Sequence, residues 1–315
     1  MSQVTRTGFR IGSTRKDVEL NCYKWIPDGE VRAVLFISHG MMEHILRYDA
    51  FAEYLNGFNI AVYGHDHMGH GGTSPDDRGF FAEKDGDEVL VNDLYEVCKK
   101  VEADLPGVPR VVLGHSMGSF VTRRFLTKYG DSVDGAILMS TGQNSMLEVN
   151  AGLLLSKLIC KVRGTHYKSK LLFNLILGPN NKPFKDSDDP LRWLSTSEES
   201  RRMYDEDPDC GFDFTAAGYR DLLTLVKKLG KEQDFDKIPK DLNLLFVSGS
   251  DDVIGEYKGT LDKVIATLRK YGLDPKKNVY EGLRHELLVE NGKEAVFEDI
   301  KDWILALPSV QSPIQ

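Results

Sequence analysis

Residues 110–126 read RVVLGHSMGSFVTRRFL, a short β-branched run, then a G-x-S-x-G stretch, then apolar residues at helical spacing. This pattern predicts a strand, a tight turn at Ser116 and a helix. Gly114 and Gly118 are needed because a side chain would clash in so tight a turn. The serine hydroxyl would project out of the fold, where the first N–H groups of the helix can stabilise an oxyanion. The stretch therefore predicts a nucleophile at Ser116.

Two partners for this serine occur further along the chain. A serine hydroxyl needs a base to take its proton, and the base must be oriented by a third group. Residues 242–247 are an apolar run that predicts a buried strand, and Asp251 and Asp252 follow it. His285 lies in a loop after another short predicted strand. Groups just past the carboxyl ends of parallel strands line the crevice where ligands bind.

Four stretches spread over nearly the whole chain carry a further signal. They are HGMMEH at 39–44, DHMGHG at 66–71, GHSMG at 114–118, and GSDD at 249–252 with GLRHE at 282–286. Together they resemble the monoacylglycerol lipase and lysophospholipase-like branch of the α/β-hydrolase superfamily of serine hydrolases. The resemblance implies Ser116 as nucleophile, Asp252 as triad acid and His285 as base. It also implies an oxyanion hole formed by the backbone N–H groups of Met41 and Met117.

Met41 also has a reason of its own to serve an oxyanion hole. Residues 33–37 are uninterrupted apolar residues, typical of a central parallel strand, and His39 and Gly40 turn the chain beyond it. The glycine would let the backbone bend so that the next N–H points into the site. His39 and His44 flank this loop, and we expect them to organise it through hydrogen bonds rather than to transfer protons.

Two positions depart from the family pattern or leave it open. Met68 stands where the family's D-x-R-G-H-G stretch commonly carries arginine. Asp251 competes with Asp252 for the role of triad acid; family register favours Asp252, and Asp251 would then cap the segment that follows. An ordinary turn serine at 116 and a structural histidine at 285 are the competing interpretations. The chain order of serine, acid and histidine argues against both.

The histidines at 65–70 raise the question of a metal site. Three histidines and an aspartate within this stretch could bind zinc or iron. The stretch follows an apolar run at 60–63 and contains glycines, as a turn after a strand does. Since no second ligand cluster has recognisable spacing, we expect no metal. We also expect no nucleotide cofactor, because neither a G-x-G-x-x-G after the first strand nor a P-loop occurs.

The composition suits a globular enzyme and argues against several partners. The 315 residues have a net charge of −8, so nucleic acid and anionic membrane surfaces are poor partners. The cysteines show no metal-type spacing and are expected to be free thiols in a reducing cytoplasm. They are Cys22, Cys98, Cys160 and Cys210. The cytoplasmic expectation also rests on an N-terminus without an apolar signal core, and on the lack of any run near the ~20 apolar residues of a membrane span.

The periodicity divides the chain into three parts. Residues 1–144 alternate short apolar runs with amphipathic ones and are expected to form the first part of an α/β core. Residues 145–215 change to apolar helical pieces separated by polar loops, which predicts an inserted helical cap. Residues 216–315 resume the alternation as the second part of the core. We expect an α/β-hydrolase fold with a mostly parallel central sheet and helices on both faces.

The predicted function is hydrolysis of carboxylic esters through an acyl-enzyme. The resemblance implies small acyl esters of the monoacylglycerol or lysophospholipid type. A leucine-rich cap over Ser116 would give the acyl chain an apolar wall, and we expect at most peripheral contact with lipid through it. An acyltransferase, thioesterase, lactonase or amidase stays open, because each begins with the same attack. A non-catalytic binding protein of this fold is a further alternative, although such proteins usually lack a triad member and this chain keeps all three.

Overall fold

An eight-stranded sheet runs through the computed structural model, which describes residues 5–184 and 188–311. The strands are β1 (Thr5–Gly12), β2 (Glu19–Ile26), β3 (Ala33–Ser38), β4 (Ile60–His65), β5 (Arg110–His115), β6 (Gly135–Met139), β7 (Asn243–Gly249) and β8 (Lys276–Tyr280). They lie side by side in the order β1-β2-β4-β3-β5-β6-β7-β8. From β4 to β8 neighbouring strands are parallel, whereas β1 and β2 pair antiparallel at one edge.

Helices cover both faces of this sheet. They are α1 (Asp49–Asn56), α2 (Gly86–Asp104), α3 (Met117–Tyr129), α4 (Met146–Arg163), α5 (Lys170–Ile176), α6 (Glu198–Glu206), α7 (Ala216–Leu229), α8 (Thr260–Lys270), α9 (Lys293–Leu305) and α10 (Pro308–Gln311). Short 3-10 helices lie at Ile45–Tyr48, Gly71–Thr73, Gly130–Ser132, Gly178–Asn181, Glu232–Lys237, Glu256–Lys258 and Leu287–Val289. None of the helices in the described part of the chain has both the length and the apolar character to cross a membrane.

Two hydrophobic cores explain why the central strands are so apolar. Helices α2, α3, α7 and α8 pack on one face of the sheet, and α1 and α9 pack on the other. Every residue of β3 is buried, because helices cover it on both sides. β2 is more exposed and alternates between buried and less buried positions. The predicted α/β architecture with a mostly parallel sheet is confirmed.

The parallel strands bring four loops to one edge of the sheet. Carboxyl ends of parallel strands lie on the same side. The loops that follow β3, β5, β7 and β8 therefore meet there. These loops hold Met41, Ser116, Asp252 and His285 respectively.

In the described residues, the stretch from β6 to β7 holds the helices α4 to α7 and two of the 3-10 helices. α4 begins after Ser145, and α7 begins after Thr215, whose side chain accepts a hydrogen bond from the Gly218 N–H at 3.1 Å. Between Ser145 and Thr215, the described residues add no strand to the central sheet. The assignment of residues 145–215 as a cap stays a prediction.

The segment after His285 has little regular structure ahead of α9. The chain forms only the 3-10 helix Leu287–Val289 there. Gly292 has a φ of 81°, which breaks the chain direction just ahead of α9. The side chain of Glu290 faces inward and is buried.

Candidate active site

Ser116 occupies a strained turn between β5 and α3. Its φ is 52° and its ψ is −117°, a conformation that a residue with a side chain adopts only when its surroundings hold it there. A Cβ at Gly118 would lie 1.9 Å from the carbonyl oxygen of Ser38, and one at Gly114 would lie 2.4 Å from the carbonyl oxygen of Gly118. Both glycines are therefore required by close backbone approach, as the sequence predicts.

A hydrogen-bonded chain runs from Ser116 through His285 to Asp252. His285 Nε2 lies 2.8 Å from Ser116 Oγ, and His285 Nδ1 lies 2.8 Å from Asp252 Oδ1. The buried Asp252 carboxylate also accepts from the Ile254 N–H at 3.0 Å and the Ser248 hydroxyl at 3.3 Å. A carboxylate only accepts, so Nδ1 carries the proton and Nε2 is free to accept from the serine hydroxyl.

The surroundings of Asp252 favour its ionised form. Burial on its own raises the pKa of this carboxyl, but the neighbouring His285 and the Ile254 N–H outweigh burial and lower the pKa below its ordinary value. Asp251 is placed differently: its N–H donates to the Leu283 carbonyl at 3.0 Å, and its carboxylate accepts from the Ser250 hydroxyl at 3.4 Å. The structure thus brings Asp252, and not Asp251, against His285.

Asp251 does not cap a helix either. The next α-helix along the chain is α8, whose N-cap position is held by Gly259. The acidic side chain that meets the histidine is therefore the second of the adjacent pair, in agreement with family register.

Met41 follows β3 and Met117 begins α3 after β5, so both lie beyond strand ends at the same edge of the sheet. Met117 is the first residue of α3, where a backbone N–H has no acceptor within the helix. Met41 lies in the turn after β3, which the Glu43 carboxylate holds by accepting from the Gly40 N–H at 2.5 Å. A Cβ at Gly40 would lie 2.5 Å from that carboxylate oxygen, so a larger residue there would have to displace the Glu43 side chain.

Two buried histidines brace this turn as hydrogen-bond acceptors. His70 Nε2 accepts from the Met42 N–H at 3.2 Å, and His39 Nε2 accepts from the His67 N–H at 3.0 Å. Their Nδ1 atoms lie 3.0 Å from the Met68 carbonyl and 2.8 Å from the Gly40 carbonyl. An Nε2 that accepts a backbone N–H is unprotonated, so both rings are neutral with the proton on Nδ1.

These ring nitrogens bond to protein groups rather than converge on a common point. In the described residues, the group whose geometry could hold a metal ion is instead His44, Asp207 and Cys210, with ligand atoms within 4.8 Å of one another. His44 Nε2 already lies 2.9 Å from the Asp207 carboxylate. Burial raises the pKa of the Cys210 thiol, which keeps it protonated and a poor metal ligand.

We expect the free energy of unfolding to fall as the pH drops below about 6.5. The ordinary pKa of histidine is about 6.5. Burial lowers the pKa of four histidines below this value, and it lowers the pKa of His65 to about 3. The other three are His39, His67 and His70. The unfolded chain then binds protons that the native protein cannot, so each histidine contributes a slope of up to about 1.4 kcal/mol per pH unit. Urea unfolding between pH 7.5 and about 5 would measure this slope.

His166 supplies the matched control for this pH effect. It is more than half exposed, so His166→Asn should keep the full loss of stability on acidification. A wild-type stability that stays level from pH 7 to about 5 would contradict the proton count.

A buried ionic network lies behind the triad and was missed from the sequence. Glu43 lies 3.1 Å from His115 Nδ1 and 2.9 Å from Arg47, and Arg47 makes two bonds of 2.6 and 2.8 Å to Glu286. Burial disfavours a charged His115, but Glu43 outweighs it and raises the histidine pKa. His115 Nε2 can then donate to the His285 carbonyl at 3.2 Å. The network therefore joins the turn that holds Met41 to the loop that holds His285.

Residues of the stretch between α5 and α6 also contact the His285 loop. The Glu286 N–H donates to the Leu194 carbonyl at 2.8 Å, and the Trp193 ring centroid lies 4.9 Å from that of His285. The Glu290 carboxylate accepts from the Ser195 hydroxyl at 2.8 Å and from the Thr196 N–H at 2.8 Å. These contacts fix where the imidazole points.

Residues a little further along the chain also bind the turn after β3. The Met42 carbonyl accepts from the Tyr204 hydroxyl at 3.0 Å and from the Gly211 N–H at 3.0 Å. We call residues 191–211 the rear segment. This segment contacts both the loop with Met41 and the loop with His285.

The sequence matches a known protein family and known relatives. The sequence model of a family described as serine aminopeptidase, S33, matches residues 29–292. The chain is 28% identical over 288 residues to monoglyceride lipase from Homo sapiens, covering 90% of this chain and 86% of that protein. It is 27% identical over 293 residues to monoacylglycerol lipase from Mycolicibacterium smegmatis, covering 90% of this chain and 91% of that protein.

Solved structures show the same fold. A thermostable carboxyl esterase from Bacillus coagulans superposes with a TM-score of 0.90 at 22% identity, covering 97% of this chain and 99% of that one. A soluble variant of monoglyceride lipase from Saccharomyces cerevisiae has a TM-score of 0.72 at 20% identity, covering 96% and 94%. These likenesses confirm the predicted α/β-hydrolase fold.

Proposed function

Because the chain belongs to the serine aminopeptidase S33 family of α/β-hydrolases, we propose that it hydrolyses carboxylic esters through Ser116, His285 and Asp252. Family membership makes the chain a serine hydrolase and supports ester hydrolysis; the proposal adds the residues and the course of the reaction. The observation that carries it is the position of His285, 2.8 Å from the serine hydroxyl and 2.8 Å from the aspartate.

The reaction proceeds in two acyl-transfer steps. His285 takes the proton of Ser116 as the hydroxyl oxygen attacks the ester carbonyl, and Asp252 stabilises the imidazolium that forms. The N–H groups of Met41 and Met117 stabilise the oxyanion. The imidazolium gives its proton to the leaving alcohol, which leaves an acyl group on the serine. His285 then takes a proton from water, which attacks the acyl-enzyme; the acid is released as the imidazolium returns that proton to the Ser116 oxygen.

The proposed substrates are acyl esters of the monoacylglycerol or lysophospholipid type. Residues 145–215 would form a cap over the site, since the rear segment contacts both catalytic loops. The cap exposes large apolar side chains, which suit contact with acyl chains or lipid. These are Leu147, Leu154, Leu158, Val162, Leu171, Leu175 and Met203. Two relatives carry the names monoglyceride and monoacylglycerol lipase.

Turnover of glycerol monoesters of increasing acyl length tests this proposal. We expect medium and long chains to be preferred over acetyl, because the added methylenes are buried against an apolar wall. Product analysis in water and with an added alcohol separates hydrolysis from acyl transfer. A strong preference for acetyl esters, or a main product acylated on the added alcohol, would refute the proposal.

We expect a charge on the exposed cap face to reduce turnover of lipid-embedded substrate. The double variant Leu154→Glu, Leu158→Glu should lose about 10-fold or more on vesicle-bound monoacylglycerol, because two apolar side chains no longer enter the lipid. Leu154 is 72% exposed and Leu158 56% exposed, so neither supports the core. Hydrolysis of a soluble acetyl ester should not change.

The matched control for this variant is Val279→Glu. Val279 is 40% exposed on β8, outside the cap, and should leave both assays unchanged. A cap variant that retains full turnover on vesicles would show that this face does not contact lipid.

A further inference from the structure

The indole of Trp193 contacts the imidazole of His285, and the proposed reaction gives this indole no part. The two ring centroids lie 4.9 Å apart, and the ring planes are inclined by 39°. Two rings that lie side by side in one plane cannot approach so closely, so the contact involves a ring face. Trp193 is half-buried, whereas His285 is only 2% exposed. The indole therefore forms part of the wall that covers the proposed base.

Hydrogen bonds on both sides of the indole hold this pair of rings together. Before the histidine, the Arg284 guanidinium donates to the Arg192 carbonyl at 2.6 Å. After the histidine, the Glu286 N–H donates to the Leu194 carbonyl at 2.8 Å. Each neighbour of the histidine thus binds the matching neighbour of the tryptophan. The backbone N–H of the tryptophan also donates to the Asn181 side chain at 3.1 Å. The ring contact is therefore fixed by the main chain on both sides of it.

The imidazole becomes a cation in the proposed reaction when it takes the proton of Ser116. The face of an aromatic ring attracts a cation within about 6 Å of its centroid, and indole attracts it most strongly. A second ring beside the imidazole is that of His115, whose centroid lies 5.0 Å away. Although burial lowers it, Glu43 raises the pKa of His115, so this ring opposes another positive charge nearby. Of these two rings, the indole is the one that favours the imidazolium.

We infer that Trp193 is a positioning residue for His285, whose imidazole it holds in place and whose charged form it favours during the reaction. This inference rests on the proposed function, because His285 becomes charged only if it takes the serine proton. In the resting protein the imidazole is neutral and accepts from the serine hydroxyl, so the indole attracts it less. An interaction that is stronger in the transition state than in the ground state raises kcat rather than the affinity for substrate.

Substitutions at Trp193 separate the effect of a ring face from that of a merely apolar contact. Trp193→Leu should lower kcat and kcat/KM for a p-nitrophenyl ester by the same factor, about 5- to 30-fold. Trp193→Phe keeps a ring face and should lose less than about 3-fold. The control Trp303→Leu removes a half-buried indole from α9 and should change neither constant. Equal losses in both Trp193 variants, a change in KM alone, or wild-type kcat in Trp193→Leu overturns the inference.

Fluorinated tryptophan provides a test that leaves the shape of the side chain nearly unchanged. Fluorine withdraws electron density from the ring and weakens its attraction for a cation. In protein that contains mono-, di- and trifluorinated tryptophan, kcat should fall at each step. The same labelling of Trp193→Phe, which still carries Trp25 and Trp303, should leave kcat unchanged. A kcat that is independent of fluorine content, or that falls equally in both proteins, overturns the inference even if Trp193→Leu does not fold.

Ser116→Ala separates a failure of this inference from a failure of the proposed function. If the wild type turns over ester and Ser116→Ala does not, the serine reacts. Full kcat in Trp193→Leu would then refute the role of the indole and leave the proposed mechanism standing. A wild-type protein without ester turnover would instead refute the proposed function, and the role of Trp193 with it.

Discussion

Ser116→Ala is expected to abolish ester hydrolysis, with a loss in kcat of at least about 10⁴-fold. In the proposed mechanism the hydroxyl bonds to the acyl carbon after His285, which lies 2.8 Å away, takes its proton. The remaining activity would come from binding and from oxyanion stabilisation alone. Steady-state turnover of a p-nitrophenyl ester, together with intact-mass labelling by a fluorophosphonate, measures both the rate and the adduct.

Ser145→Ala is the control for this substitution. Ser145 is exposed just before α4 and should keep the activity and the single adduct of the wild type. A Ser116→Ala protein that is still labelled and still turns over ester would place the nucleophile elsewhere. Absence of any adduct on the wild type would instead favour a binding protein of this fold.

Asp252→Asn is expected to lower kcat by about 10³- to 10⁴-fold while the protein stays folded. An asparagine can present its amide N–H₂ to His285, which would then hold its proton on Nε2 and no longer accept from Ser116. The neighbouring substitution Asp251→Asn should change kcat by less than about 3-fold, because the Asp251 carboxylate meets Ser250 and not the imidazole.

The two aspartate variants form a matched pair, since each removes one negative charge at adjacent positions. Both need to be compared at several pH values, with circular dichroism to show that each is folded. If Asp251→Asn were the inactive member of the pair, the assignment of the triad acid would be reversed.

Local sequence signals were sufficient for the elements that carry the triad. The β-branched run before Gly114 and the helical spacing after Gly118 act over a few residues, so strand, turn and helix could all be predicted. Ser116, Asp252 and His285 each follow a predicted strand, and the parallel strands β5, β7 and β8 bring them to one edge of the sheet. Which of two adjacent aspartates meets the histidine depends on backbone geometry in the loop, and periodicity carries no information about it.

The supporting groups could not be predicted in this way. Arg47 and Glu286 are separated by 239 positions, and His115 and Glu43 by 72, so no local pattern links them. The spacing of Glu43 and Arg47, four positions apart, was the available hint of an ion pair.

The contacts of the rear segment bear on how freely this protein's parts can be exchanged with those of its relatives. Residues 191–211 hold Met42 and Glu286 by backbone hydrogen bonds, whereas α4 and α5 make no such contact with either loop among the described residues. A chimaera with only α4 and α5 from a relative would keep the loops that hold Met41 and His285 in their present positions. A chimaera with the whole of residues 145–215 from a relative would also need that relative's loops. Under the proposed function, changes in α4 and α5 would therefore alter acyl-chain preference at little cost to the chemistry, whereas changes in residues 191–211 would need matching changes in the loops that hold Met41 and His285.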